Sequence, residues 1–72
     1  MTMNQMKIGS TAVVKRLDVC SGMRRRLQDL GLIENTCIEC LLKSPFGDPC
    51  AYLIRGAVIA IRSDESSKIL IY

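Results

Sequence analysis

Histidine and tryptophan are absent from this sequence, proline occurs twice, and aromatic residues make up 4% of it. Each shortage excludes something. Without histidine the chain lacks the commonest general base near neutral pH and the commonest imidazole metal ligand. With Phe46, Tyr52 and Tyr72 as its only aromatics, it must build an aliphatic core, and it has few platforms on which nucleic-acid bases could stack. No unbroken apolar run, Ala57-Val58-Ile59-Ala60-Ile61 included, exceeds five residues, far short of the roughly 20 a membrane-spanning helix needs. The opening segment, Met1 to Lys7, is polar and has no secretory apolar stretch. A net charge of +3 is too mild to mark a nucleic-acid surface. These shortages predict a cytoplasmic protein that does not span the membrane and does not bind nucleic acid.

What is present points to a small folded domain. The 72 residues suffice for one domain, and a hydrophobic content of 49% excludes disorder. The four cysteines are expected to stay reduced in the cytoplasm, so no disulfide framework is predicted. Residues 1–6 read as a flexible lead-in, and 7–72 as the domain. Thr11–Leu17 is β-branched and partly alternating, a first strand. Ser21 reads as the N-cap of a short helix in which Met23, Leu27 and Leu30 form an apolar stripe at i, i+4 and i+7. Arg24, Arg25, Gln28 and Asp29 fall on the other side, and Gly31 stands where a left-handed C-terminal cap belongs.

Further strands are predicted over 36–43, 50–55 and 57–62, with Gly56 as the break between the last two. The 44–49 stretch, rich in proline and glycine, is a turn. On the second strand, strict alternation puts Ile38, Cys40 and Leu42 on one face and Cys37, Glu39 and Leu41 on the other. Ser63 opens a single helical turn, and 68–72 forms a last strand. The fold class is therefore mainly β, a compact barrel of about five strands with one short inserted α-helix.

Several motifs invite chemistry. Cys37-Ile38-Glu39-Cys40 has the spacing of a thiolate metal site, with Cys20 and Cys50 as further candidates. In a straight strand, though, residues i and i+3 point to opposite faces, which favours a structural reading of the cysteines as small buried hydrophobes over a metal centre. No metal and no cofactor is assigned, and thiolate binding through these four cysteines is the rival reading. Arg24-Arg25-Arg26 is the strongest basic cluster; a helix fans successive residues by about 100°, so the three cannot face one partner together. Arg26 is in reach of Asp29 at i+3. Asp48, Asp64 and Glu65 read as solvated turn residues. No nucleophile–base pair is present, so the chain is not read as an enzyme.

The ordered set Gly9, Val14, Arg26-Leu27-x-Asp29-Leu30-Gly31-Leu32, Pro45-x-Gly47-Asp48-Pro49, Gly56, Ile59-Ala60-Ile61-Arg62, Glu65 and Ile69 resembles the FeoA family from about residue 7 to 72. That resemblance implies an SH3-like barrel without enzymatic activity. It also implies a cytosolic accessory role in ferrous-iron uptake, acting on the GTPase domain of the permease FeoB at the inner face of the membrane. The same fold resembles the C-terminal domain of DtxR-type repressors. The chain departs from the family pattern at Asn35, where glycine is usual, and at Ser66, where alanine is favoured; asparagine tolerates a left-handed backbone. The expected partner-binding face is the inserted helix with the turn beside it: Arg24, Arg25, Gln28 and Phe46. Weak self-association is compatible with all of this.

Overall fold

The structure is a computed structural model that describes residues 1–45 and 48–72. The β-branched runs become strands β1 (Thr11–Leu17), β2 (Cys37–Lys43), β3 (Cys50–Ile54), β4 (Ala57–Ile61) and β5 (Ile69–Ile71). Two helices interrupt them, α1 (Ser21–Asp29) and α2 (Ser63–Ser66). The strands form one antiparallel sheet in the order β4-β3-β2-β1-β5. β1 serves two neighbours. Its first half pairs with β2, Thr11 opposite Glu39, and its second half pairs with β5, Leu17 opposite Ile69, with a register irregularity between Val14 and Arg16. That irregularity bends the strand and lets the sheet curl into a barrel-like core.

One face of each strand fills the interior. Val14 and Leu17 of β1, Ile38 and Cys40 of β2, and Cys50, Tyr52 and Ile54 of β3 are buried, as are Ile61 of β4 and Ile69 and Ile71 of β5. Leu42 breaks the expected alternation. A bulge between Cys40 and Leu42 inserts a residue into β2 and flips the facing beyond it, so Leu42 lies opposite Ala51 and is 55% exposed.

The segment expected to be a loose lead-in is packed. Met3–Gln5 forms a 3₁₀ turn, Thr2 bridges Leu70, and the Ile71 N–H donates to the Met1 carbonyl at 3.0 Å. Met3 and Met6 are 0% and 2% exposed. Spaced three apart, they sit above one another on a 3₁₀ turn and together close one side of the core.

α1 starts one residue earlier than Ser21 as its cap suggests, while α2 opens at Ser63 as expected. The N-caps are Cys20 and Arg62, and neither makes a side-chain cap bond. For α2, Asp48 does that work from a distance: its Oδ1 accepts from the Ser63 N–H at 2.8 Å. The C-terminus of α1 follows the residue pattern closely. Gly31 has φ +96°, its N–H donates to the Gln28 carbonyl at 2.9 Å, and the Leu32 N–H donates to the Leu27 carbonyl at 2.9 Å. This is a Schellman cap, with Leu27 and Leu32 as the buried apolar pair that accompanies it. Asn35 takes φ +69° at the third position of the turn closed by the Thr36 N–H and Ile33 carbonyl, the left-handed conformation its residue type allows.

A β-carbon on Gly31 would lie 3.0 Å from Cδ of Arg55. Gly31→Ala therefore meets a left-handed backbone and a side chain at once. We expect it to lower stability by about 1–2 kcal/mol from the backbone alone, or roughly 4–16 °C in Tm for a domain of this size. In an Arg55→Asn background only the backbone part should remain, which paired thermal melts would measure.

Tyr52 carries the largest electrostatic shift. It is fully buried, and its hydroxyl donates to the Met3 carbonyl at 3.4 Å. Burial, reinforced by the Cys50 and Cys40 thiols nearby, pushes its phenol from 10.0 up to about 12. The unfolded chain then releases this proton before the folded chain does. The Tyr52 contribution to stability is intact below about pH 10 and is lost as pH rises towards 12, by about 2–3 kcal/mol over the window. Urea denaturation across pH 9–12 should show this decline, and Tyr52→Phe should flatten it.

Candidate partner-binding surface

α1 is held to the barrel by Leu27, its one fully buried residue, with Met23 half-buried beside it. Leu30 was expected to extend this stripe, but it is the C-cap residue and 41% exposed. The chain turns at Gly31, and Leu32 takes the inward position instead. Leu30 and a similarly exposed Ile33 are thus left at the surface around the C-terminal end of α1. The helical spacing could not reveal this, because it stops being helical there.

Arg24, Arg25 and Gln28 are all exposed. Arg24 and Gln28 share a face at i, i+4, while Arg25 is turned about 100° away. The three consecutive arginines have different roles. Arg24 is engaged within the fold, donating from Nη2 to the Leu17 carbonyl at 2.8 Å and tying α1 to the end of β1. Arg26 pairs with Glu65 of α2, not with Asp29 as its spacing suggested. Its side chain is 57% exposed, so this pair mainly orients the two helices and contributes little stability. Among the described residues Arg25 and Gln28 make no side-chain hydrogen bond or ion pair, which leaves them available to a partner. Phe46, the other expected contact, lies outside the described residues.

The cysteines do not converge. Cys40 and Cys50 are the small buried hydrophobes expected, but Cys20, at the N-cap of α1, and Cys37, on the outer face of β2, are exposed. Cys37 and Cys40 face opposite sides of β2, as the strand reading required. Burial, with the nearby Cys50 adding to it, pushes the Cys40 thiol up and keeps it protonated. Among the described residues, no three Cys, Asp or Glu side chains are grouped so as to hold a metal ion. Of the acidic turn residues, Asp48 and Glu65 have the structural partners given above, and Asp64 is exposed. Among the described residues no helix is long and apolar enough to cross a membrane.

Comparison with known proteins places this architecture. No curated protein matches the chain by sequence. Among solved structures, FeoA from Chlorobium tepidum superposes with a TM-score of 0.95 at 30% identity, covering 100% of this chain and 69% of that one. FeoA from Stenotrophomonas maltophilia, a prokaryotic SH3-domain protein solved with zinc, matches at TM-score 0.86 and 24% identity, covering 100% and 89%. A manganese-dependent transcriptional repressor shares the fold at TM-score 0.90 and 20% identity, where this chain corresponds to 35% of its length. The model of the FeoA domain matches residues 1–72, so the buried Met3 and Met6 fall within the family's own boundaries. With that match, and with the SH3-like barrel, inserted helix and Gly31 cap in place, the chain belongs to the FeoA family, which is linked to ferrous iron transport.

Proposed function

We propose that this chain is a non-catalytic accessory protein of ferrous-iron uptake that binds the cytosolic GTPase domain of FeoB and modulates it. The observation that carries this reading is an FeoA domain whose inserted helix presents Arg25 and Gln28 without internal partners. A cationic and amide-bearing face suits an acidic protein patch. To modulate a GTPase it must bind one nucleotide state better than the other, since a ligand with equal affinity for both shifts nothing. Binding would hold the chain at the inner face of the membrane through its partner.

The test is a titration of isotope-labelled protein with the soluble GTPase domain of FeoB from the same cell, in the apo and GTP-analogue states. Nucleotide-dependent shifts centred on residues 22–30 and 44–48 support the reading. Absence of binding in both states overturns it.

Zinc in the Stenotrophomonas maltophilia protein brings a thiolate metal site to this chain as a second reading. The separation of Cys20 and Cys37 at the surface from buried Cys40 and Cys50 opposes it. Cobalt(II) added to the reduced protein is expected to give no stoichiometric thiolate charge-transfer band. A band lost on Cys37→Ser would establish the metal site instead.

A further inference from the structure

We propose that the outer edge of β4 is a docking strand for an extended segment of a partner protein, with a short β-branched run flanked by acidic residues. The sheet has two edges, and the chain treats them differently. The β5 edge is covered by residues 1 and 2, through the Thr2–Leu70 bridge and the Met1 carbonyl. No described residue covers the β4 edge. β4 pairs with β3 from Ile54–Ala57 to Cys50–Ile61 without a register shift, closed by a two-residue turn with φ +51° at Arg55 and +81° at Gly56. In such a hairpin the pair next to the turn is hydrogen-bonded and every second pair follows. The N–H and C=O groups of Val58 and Ala60 therefore point away from β3, at the spacing an added strand would satisfy.

Solvent-exposed edge strands normally carry a device against pairing: a lysine, a proline, a bulge or a charge turned inward. β4 has none of these. It reads Ala57-Val58-Ile59-Ala60-Ile61, and Val58 is 67% exposed. The surface beside it continues apolar across the sheet. The register sets Ala60 beside Ala51 and Leu42, and Val58 beside Leu53 and then Glu39, the one charge among these residues. A strand added at the edge would extend this surface and lay its own outward apolar side chains along it.

Charge selects the occupant. Arginines stand at both ends of β4, Arg55 in the turn before it and Arg62 after it. The Arg62 end also holds Asp48 and Asp64, so its charge is mixed, and Arg55, leaning on Gly31, supplies the clearer cation. A second copy fits poorly. Pairing Val58 with Ala60 across a two-fold axis brings Arg55 of one copy within a residue of Arg62 of the other, between chains that each carry +3. An extended segment with acidic ends meets both arginines and gains the edge's backbone bonds, the mode of recognition by strand addition. This surface is distinct from the polar face of α1 and does not depend on the reading above.

The test uses two synthetic peptides with the same Thr-Val-Thr-Val-Thr centre, one flanked by aspartates and the other by lysines, titrated at low salt into the labelled full chain. The aspartate-flanked peptide is expected to shift the Val58 and Ala60 amides and to bind about tenfold more tightly than the lysine-flanked one. Val58→Pro removes only an outward donor, which an edge strand tolerates. It should abolish binding while the remaining spectrum stays folded. Arg55→Asn suits the turn and should narrow the difference between the peptides. Equal affinity for both peptides, shifts away from β4, or no shifts at millimolar peptide would each overturn the proposal. A free protein whose Val58 and Ala60 amides shift with its own concentration, and which sediments as a dimer, would also overturn it in favour of a second copy.

Discussion

Replacing Met3 and Met6 together by alanine is expected to unfold most of the protein at 37 °C, with loss of the cooperative thermal transition. The two side chains are 0% and 2% exposed, and both belong to the core. Truncating a buried methionine to alanine costs about 2–5 kcal/mol, through lost transfer energy and the cavity left behind. The whole stability of a 72-residue domain is about 4–11 kcal/mol. The double change therefore removes a sum comparable to the total, even allowing for partial collapse of a shared cavity. Met3→Ala alone should retain a cooperative transition at a lower urea midpoint, and Met1→Ala, 67% exposed, should leave that midpoint nearly unchanged. Circular dichroism during urea denaturation measures all three. A double variant as stable as the parent would show that residues 1–6 are the loose lead-in their polarity suggests.

Much of this fold can be read directly from residue types, and the exceptions share a cause. The bounds of β1, the left-handed backbone at Asn35, the Gly31 cap and the break at Gly56 all follow from local chemistry. The exceptions depend on partners distant in sequence. The bulge that turns Leu42 outward is a property of β2 and β3 together. Arg26 finds Glu65, thirty-nine positions away, because α2 packs where the sequence cannot place it. Met3 and Met6 lie in a segment whose polar residues mask their i, i+3 spacing, and their value emerges only once β5 and Tyr52 stand beside them. The candidate surface divides in the same way. Exposure of Arg24, Arg25 and Gln28 was legible from the helical pattern. The tethering of Arg24 to Leu17 was not, because it needs the end of β1 brought against α1. The exposed edge of β4 was equally hidden, since an apolar run reads as core until its neighbours are known.

Leu27→Ala is expected to cost about 3–5 kcal/mol, near the upper end for such truncations, because this residue holds two structures at once. It is the only fully buried residue of α1, and it is the apolar partner of Leu32 in the cap that ends the helix. A nine-residue helix is not stable in water without docking, so releasing Leu27 releases the helix as well as opening a cavity. Hydrogen exchange should show this first. Amides of residues 24–32 should lose protection before those of β2 and β3, since the sheet does not need α1 for its own pairing. Leu27→Met keeps the volume and should cost under about 1.5 kcal/mol. Leu30→Ala, one turn on but 41% exposed, should change stability by less than about 0.5 kcal/mol. The functional consequence follows from the same anchor. Arg25 and Gln28 occupy fixed positions only while Leu27 is seated, so Leu27→Ala should weaken binding of the FeoB GTPase domain even under conditions where the barrel remains folded. Leu30→Ala should leave that binding nearly unchanged as well, because its side chain lies more than about 100° around the helix from Arg25 and Gln28. If Leu27→Ala lost stability but bound the domain as tightly as the parent, the partner surface would lie elsewhere than on α1.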